Sequence, residues 1–179
     1  PLGRNIGNTL ELIEVVEALN GNMQEDVKVV VLELGSNMLK LAGKGNNLEE
    51  NKEKMMEYIK NGKALEKFKE LVINQGGDVT YIENTEKFKK AKYIMPVVLE
   101  KNGIVKELKA EEIGKLSVFL GAGRLRKEDK IEPEVGIVLN KKIGDTVIKN
   151  DIVAYIHAND EEKAKEAVER LKNIYQLGQ

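Results

Sequence analysis

The spacing of apolar residues changes near Gly77, from a spacing typical of helices to one typical of strands. Before that point apolar residues recur three or four positions apart, and later they alternate with other residues, first in Tyr93–Leu99. The first pattern indicates amphipathic helices and the second half-buried strands. The sequence therefore predicts an α+β protein in three parts: helices over 1–77, a polar linker over 78–91, and an α+β domain over 92–179.

Capping residues frame the helices predicted in the first part. Asn8 and Glu11 have the spacing of a capping box, and Asn47 and Glu50 repeat it. Glycines follow the helices, as the left-handed ending of a helix requires. The first helix, which ends at Gly21, carries apolar residues on nearly every side, so we expect it to be deeply buried.

The segment from Asp26 to Lys44 fits two structures. Its β-branched run, Val29–Val31, favours a buried strand. Its apolar character continues for more residues than one ordinary strand contains. Length therefore favours a helix that ends near Gly43 or Gly45.

The second part predicts short strands and two helices. Asn102–Gly103 is a tight-turn signal between the first two strands. A helix over 110–120 ends at Gly121. The last helix is predicted to begin at Asn159, and its buried stripe extends to Tyr175.

Composition excludes several classes of site. The 179 residues carry a net charge of −1 and contain no cysteine and one histidine. The absence of cysteine excludes disulfides, iron–sulfur clusters and Cys-ligated zinc, and the single histidine argues against a His-rich metal site or a Ser-His-Asp triad. Without a basic excess, and with 4% aromatic residues, the chain is not expected to bind nucleic acid. It has no apolar run of 18 residues, so we expect no membrane span.

The glycine-rich segment Gly121–Arg124 has two interpretations. Backbone amides beside an arginine can hold a phosphate. The segment follows a helix, however, and lacks the Lys and Ser/Thr of a nucleotide loop, so a helix C-terminal cap is favoured. Lys130 resembles a lipoyl-carrier lysine, but Pro133 follows closely and argues against that role. We interpret His157 as structural, and two acidic pairs as helix-start charges: Glu49–Glu50 and Glu111–Glu112.

Four motifs occur in order along nearly the whole chain. They are Pro-Leu-Gly-Arg with Gly-Asn-Thr-Leu-Glu in Pro1–Glu11, Gln-Gly-Gly-Asp in Gln75–Asp78, Leu-Gly-Ala-Gly-Arg with Lys-Glu-Asp in Leu120–Asp129, and Lys-Ile-Gly-Asp in Lys142–Asp145. Together they resemble the C-terminal half of the pyrimidine nucleoside phosphorylases, a family that includes thymidine phosphorylase.

The resemblance implies a fold and an activity. Residues 1–77 would be the helical end of a central α/β domain. Residues 92–179 would be the family's C-terminal α+β domain, with a barrel-sandwich portion similar to biotinyl and lipoyl carriers. The family converts pyrimidine nucleosides and phosphate to a base and a (deoxy)ribose 1-phosphate, as a cytoplasmic homodimer without an organic cofactor.

The family's phosphate loop and base-binding residues have no counterpart in this chain, so we expect no catalytic or substrate-binding residue and no activity from the chain alone. Pro1 replaces an initiating Met, and a helix begins within eight residues. We therefore expect a trimmed or proteolytic fragment. The alternative is a stand-alone binding or interaction module with a carrier-like fold.

One site does carry over from the resemblance. Bacterial members bind a monovalent metal through backbone carbonyls of the Pro-Leu-Gly segment and a glutamate on the following helix. The corresponding positions are Leu2, Asn5 and Glu14. The resemblance implies potassium at this site, and the oxygen ligands suit such a hard cation, or calcium as a surrogate. The alternative is that Glu14 is an ordinary charge on the helix surface.

Overall fold

The computed structural model describes residues 1–178 as helices and two antiparallel sheets, which confirms the α+β prediction. The helices are α1 (Asn8–Leu19), α2 (Glu25–Leu41), α3 (Leu48–Lys60), α4 (Lys63–Asn74), α5 (Thr80–Glu83), α6 (Ala110–Leu120) and α7 (Glu161–Ile174), with one 3₁₀ turn at Thr85–Lys87. The strands are β1 (Asn5–Ile6), β2 (Tyr93–Leu99), β3 (Gly103–Leu108), β4 (Gly136–Leu139), β5 (Thr146–Val147), β6 (Asp151–Ala158) and β7 (Tyr175–Gly178). Among these residues, none of the helices has both the length and the apolar character needed to cross a membrane.

The described chain forms two compact units. One contains Ile13–Lys87 together with Leu2, and we call it the helical unit. The other contains Pro1, Gly3–Leu12 and the residues from Phe88 onward, and we call it the sheet unit. The grouping of Gly3–Leu12 with the sheets was not indicated by the sequence pattern.

The larger sheet of the sheet unit has the strand order β1-β4-β6-β2. Ile156 of β6 lies opposite Met95 of β2 on one side and Ile137 of β4 on the other, so all three side chains lie on one face. Ile137 and Ile156 are fully buried, whereas Ile94, on the opposite face, is exposed. The alternation predicted for Tyr93–Leu99 is thereby confirmed.

Helices α6 and α7 pack against each other, and α7 also packs against β2. Each contributes a stripe with helical spacing to one hydrophobic core shared with both sheets. The buried members of these stripes are Ile113, Leu116 and Leu120 of α6 and Ala164, Ala167 and Leu171 of α7.

The last helix ends one residue earlier than its apolar stripe suggests. Helix α7 stops at Ile174, and Tyr175 begins β7, which pairs with β3 in the smaller sheet, β5-β3-β7. The Tyr175 hydroxyl lies 2.8 Å from the carbonyl oxygen of Lys141 and 3.0 Å from that of Val153. The predicted helical position of Tyr175 is therefore wrong, because this side chain is buried by strand pairing and by its hydroxyl contacts.

In the helical unit, α2 and α3 pack against each other around a buried asparagine. The Asn51 side-chain amide donates to the carbonyl oxygens of Ser36 and Gly45, at 3.1 Å each. Gly35 permits a close approach there, since a Cβ on it would lie 2.2 Å from Cε of Met55. The helix predicted over Asp26–Lys44 is confirmed as α2.

The N-terminal residues add a short strand that the helical reading of 1–77 did not include. Asn5 and Ile6 pair with Val138 and Ile137 of β4. Such a two-residue strand is defined by its partner rather than by its own propensity. The deep burial expected for α1 is also wrong, because Val15 is exposed and several of its apolar residues are only partly covered.

Two of the three predicted caps differ from the structure. Helix α1 begins at Asn8 itself, and the Gly7 N–H donates to the Glu11 carboxylate at 3.0 Å. At α7 the capping side chain is Asp160, which accepts from the Lys163 N–H at 2.9 Å. Asn8 and Asn159 instead bond to other parts of the chain. The cap predicted at the start of α3 is confirmed, since Asn47 accepts from the two following acidic residues, Glu49 and Glu50.

The residues predicted as a linker contain ordered structure. Helix α5 and the 3₁₀ turn lie within 78–91, and Ile82 is buried. The boundaries predicted at residues 77 and 92 stay a prediction.

Candidate functional site

The three predicted metal-ligating positions are divided between the two compact units. Leu2 and Glu14 belong to the helical unit, and Asn5 belongs to the sheet unit. The Leu2 side chain is exposed and Glu14 is partly buried on α1. The Asn5 side-chain amide donates to the carbonyl oxygen of Leu10 at 2.8 Å. A side chain held in this way is directed toward helix α1, so only the Asn5 main chain suits the predicted ligand role.

The backbone beside Asn5 is held by the larger sheet. The Leu139 N–H donates to the carbonyl oxygen of Arg4 at 2.9 Å, and the Lys142 ammonium donates to that of Gly3 at 2.7 Å. Two carbonyls and one carboxylate are chemically suited to potassium. Residues 1–178 contain no group of three or more His, Cys, Asp or Glu side chains placed to hold a metal. The potassium site stays a prediction.

The glycine-rich segment after α6 forms a helix ending. Gly121 adopts a left-handed conformation, with φ of 107°. The N–H groups of Gly121 and Ala122 donate to the carbonyl oxygens of Val118 and Ser117, at 3.0 Å each. These amides are therefore not directed at an anion. The helix-cap interpretation of this segment is confirmed.

The remaining residues that the sequence analysis considered lie at positions that fit structural roles. Lys130 lies in the loop between α6 and β4 and not at the tip of a hairpin, which the carrier-lysine interpretation would require. His157 lies on β6 opposite Ile94, and its partial burial lowers the pKa of its imidazole. Burial thus disfavours the charged imidazolium, which suits a structural histidine. The acidic pairs occupy the first turns of α3 and α6, as predicted.

A polar cluster around a buried glutamate, which the sequence analysis did not find, lies in the sheet unit. Glu134 is 4% exposed. Its carboxylate accepts from the Lys89 ammonium and, at 3.0 Å, from the Asn159 side-chain amide, which also donates to Glu132. The Asn159 side-chain oxygen accepts from the Lys92 N–H at 3.1 Å. The one sequence feature that could have indicated this cluster is the charge of Glu134, which stands between Pro133 and a buried strand.

A row of exposed apolar side chains follows one side of α2. We call it the α2 stripe, and it consists of Val30, Leu34, Met38 and Leu41, which are exposed by 38%, 61%, 68% and 88%. Their spacing of three and four residues places them on one helix face. An exposed row of this size is typical of a surface that another part of a protein covers.

Comparison with known proteins supports the family resemblance. Residues 104–178 match the family described as the pyrimidine nucleoside phosphorylase C-terminal domain. The pyrimidine-nucleoside phosphorylase of Staphylococcus haemolyticus is 50% identical over 161 residues, which cover 90% of this chain and 37% of that protein. The pyrimidine-nucleoside phosphorylase of Staphylococcus aureus strain USA300 is 49% identical over 159 residues.

The chain therefore spans well under half the length of the relatives that it matches. The identity extends across both compact units, because it covers about nine-tenths of the chain. The family model covers the part from β3 to β7. On these findings the chain belongs to the pyrimidine nucleoside phosphorylase family, and its residues 104–178 are the C-terminal domain of that family.

Proposed function

We propose that this chain is the C-terminal portion of a pyrimidine nucleoside phosphorylase and is inactive without the rest of the enzyme. The observation that carries the proposal is the 50% identity over 90% of this chain to a relative of which it covers 37%. The alternative of a stand-alone binding module is not favoured, since both units align with the enzyme.

The reaction proposed for the complete enzyme is phosphorolysis of thymidine or uridine. An oxygen of phosphate forms a bond to the anomeric carbon, and the bond from that carbon to the pyrimidine nitrogen breaks. The base leaves with the electron pair and takes up a proton, and (deoxy)ribose 1-phosphate remains. Catalysis of this kind depends on cations around phosphate and on donors to the departing base. We assign no residue of this chain to those roles.

The role proposed for the helical unit is to complete the central α/β domain. In a complete enzyme the α2 stripe would pack against the upstream part of that domain, which would remove Leu34, Met38 and Leu41 from water. Burying one such side chain contributes about 1.5–3 kcal/mol. The exposed stripe supports this proposal, because no stable helix gains from leaving large apolar residues in water.

The proposed contribution to ion binding comes from Leu2, Asn5 and Glu14. Carbonyl oxygens of Leu2 and Asn5 and the Glu14 carboxylate would hold potassium, with further oxygens supplied by the upstream part of the enzyme. When bound, the ion would supply positive charge near the phosphate-binding residues. The pairing of Asn5 with β4 supports this proposal, because it holds the main chain of that segment in place.

The finer features of the family are proposed on the same basis. We propose a barrel-sandwich portion similar to biotinyl and lipoyl carriers within the sheet unit, supported by its two antiparallel sheets. A cytoplasmic homodimer acting in pyrimidine salvage is proposed for the complete enzyme, from the family resemblance alone.

Fragment complementation tests the proposed function. The chain would be co-expressed with the part of the Staphylococcus haemolyticus enzyme that precedes the matched region. We expect uracil or thymine release from nucleoside and phosphate only when both parts are present. Leu34→Asp should abolish complementation, whereas Lys54→Asp, on α3, should not. Turnover by the chain alone at the level of an intact enzyme would contradict the proposal.

The potassium site has a separate test in the complemented enzyme. Potassium should raise the melting temperature, and Glu14→Gln should remove that increase while Glu17→Gln, one turn away on α1, retains it. An unchanged potassium response in Glu14→Gln would assign Glu14 to the helix surface. The melting temperature does not depend on activity, so this result is independent of the assay.

A further inference from the structure

The main chain passes from one compact unit to the other after Leu12 and before Phe88. On the sheet-unit side of both passages, the chain is bonded to the same short segment, Glu132–Gly136, which precedes and begins β4. We call this segment the anchor. Its contacts to the two passages are different in chemistry, and both lie entirely within the sheet unit.

The first passage is held by main-chain contacts. The Thr9 N–H, in the first turn of α1, donates to the carbonyl oxygen of Pro133 at 2.9 Å. This bond satisfies one of the N–H groups that a helix start leaves without an internal partner. Gly136 lies against Ile6 and Gly7, since a Cβ on Gly136 would be 2.1 Å from the Ile6 carbonyl oxygen and 3.1 Å from the Gly7 Cα. The anchor therefore determines where α1 begins.

The second passage is held by side chains. Lys89 pairs with the Glu134 carboxylate, and the Asn159 side chain bonds both to the anchor and to the Lys92 N–H. The Lys89 side chain is 73% exposed, whereas the Glu134 side chain is 3% exposed. An ion pair with one solvated partner contributes little. The bond from Asn159 to Glu134 matters more, because losing it leaves a buried carboxylate with fewer donors.

We propose that Glu132–Gly136 is a shared anchor that couples the conformations of the two passages, with Asn159 as the residue that positions it. Loss of the Asn159 bonds removes one partner from Glu132 and one from Glu134 at the same time, which lets both side chains shift, while the Lys89 pair and the bond from the Glu132 N–H to the Gly121 carbonyl oxygen remain. Pro133 lies between Glu132 and Glu134, so its carbonyl moves with them. The bond to Thr9, at the start of α1, then weakens as well. A disturbance at the second passage is in this way transmitted to the first.

Amide hydrogen exchange by NMR on the full chain tests the coupling. In Asn159→Ala we expect the Lys92 amide to exchange about tenfold faster, since its acceptor is gone. The Thr9 amide should also exchange several-fold faster, although its own acceptor is unchanged. The matched control is Asn173→Ala, which removes an exposed asparagine bonded only within α7 and should leave both amides unchanged.

Two milder variants keep the test decisive if Asn159→Ala does not fold. Glu134→Gln preserves the shape of the side chain, and Lys89→Met changes a mostly exposed one. Each should accelerate exchange at Lys92 and Thr9 in the same direction but by less. Lys92→Met is the control within the second passage. It removes the side-chain charge but keeps the main-chain N–H that bonds to Asn159, so exchange at residues 92 and 9 should not change. Unchanged exchange at Lys92 would overturn the proposal, and so would acceleration at Lys92 without any at Thr9.

Discussion

The two compact units differ in how completely they bury their own apolar residues. The sheet unit has one continuous core, whose central members, such as Ile137, Leu139 and Ile156, are inaccessible to water. In the helical unit, several large apolar side chains of α2 lie on the surface, and Leu34 and Met38 are more than half exposed. The same chain therefore contains a unit with a closed core beside a unit with an open face.

This difference shows that periodicity and burial are separate properties. Helix α2 has the length and pattern of a buried helix, yet nothing in the helical unit covers its stripe. Most helical stability in proteins comes from packing of an apolar face. The helical unit should therefore be the less stable one until a partner covers the α2 stripe, whereas the sheet unit should fold by itself.

Truncation of a core residue should show the largest effect. Ile156→Ala removes a fully buried side chain that lies between β2 and β4, and should lower the free energy of unfolding of the sheet unit by about 3 kcal/mol. Met38→Ala truncates an exposed side chain of the helical unit and should change its unfolding free energy by less than about 0.5 kcal/mol. Urea unfolding followed by hydrogen exchange in each unit measures both. A similar cost for the two variants would remove the distinction between the units.

A second variant tests the close approach at the anchor. Gly136→Ala would place a Cβ 2.1 Å from the Ile6 carbonyl oxygen, with φ at 155°, so the backbone must move. We expect a loss of about 2 kcal/mol in the unfolding free energy of the sheet unit. Gly114→Ala, in α6, meets no atom within 4 Å and should stabilise by about 0.5–1 kcal/mol. Equal melting temperatures for the two variants would contradict this account.

The helical unit has its own weak point in the buried asparagine between α2 and α3. Asn51→Ala leaves the carbonyl oxygens of Ser36 and Gly45 without this donor and should cost about 1–2 kcal/mol. The control is Asn46→Ala, at an exposed position. Hydrogen exchange of α2 and α3 should accelerate in the first variant only, while β6 is unaffected. Acceleration in β6 would show that the units do not unfold separately.

The smallest expected effect is a dependence on pH. The Lys89 ammonium, bonded to Glu134, holds the pKa of that carboxyl below its usual value of 4.5. A pKa lowered by folding stabilises the protein above the unfolded-state value, and that contribution is lost as the pH falls through the folded-state pKa. The stability of the wild type should therefore decrease below about pH 4.5 more steeply than that of Glu134→Gln. Identical slopes between pH 5 and 3 would show that Glu134 is not stabilised as a carboxylate.

The elements that could be predicted from sequence are those specified locally. The helices with long apolar stripes and the alternating strand Tyr93–Leu99 were predicted with nearly the right bounds. Strand β1 was not, because its two residues become a strand only by pairing with β4. Tyr175 was assigned to a helix for a similar reason, since it continues the stripe of α7 but is captured by β3.

The candidate site was less predictable than the fold. The anchor contacts join residues that are far apart in sequence, such as Lys89 and Glu134, and no local pattern indicates them. Asn159 was predicted as a helix cap because its spacing to Glu162 suits that role. The neighbouring Asp160 competes successfully for the cap, which leaves the Asn159 side chain to bond to the anchor.

The central claim is that the sheet unit has a complete hydrophobic core, whereas the α2 stripe of the helical unit needs the upstream part of a phosphorylase to cover it. Hydrogen exchange of the full chain, alone and with the upstream part of the Staphylococcus haemolyticus enzyme, tests it most directly. Alone, the amides of β4 and β6 should be protected to the limit of global unfolding, and those of α2 should exchange at least about a hundredfold faster. Addition of the upstream part should slow exchange in α2 and leave β4 and β6 unchanged. Equal protection of α2 and β6 in the chain alone, with no change on addition, would contradict the claim.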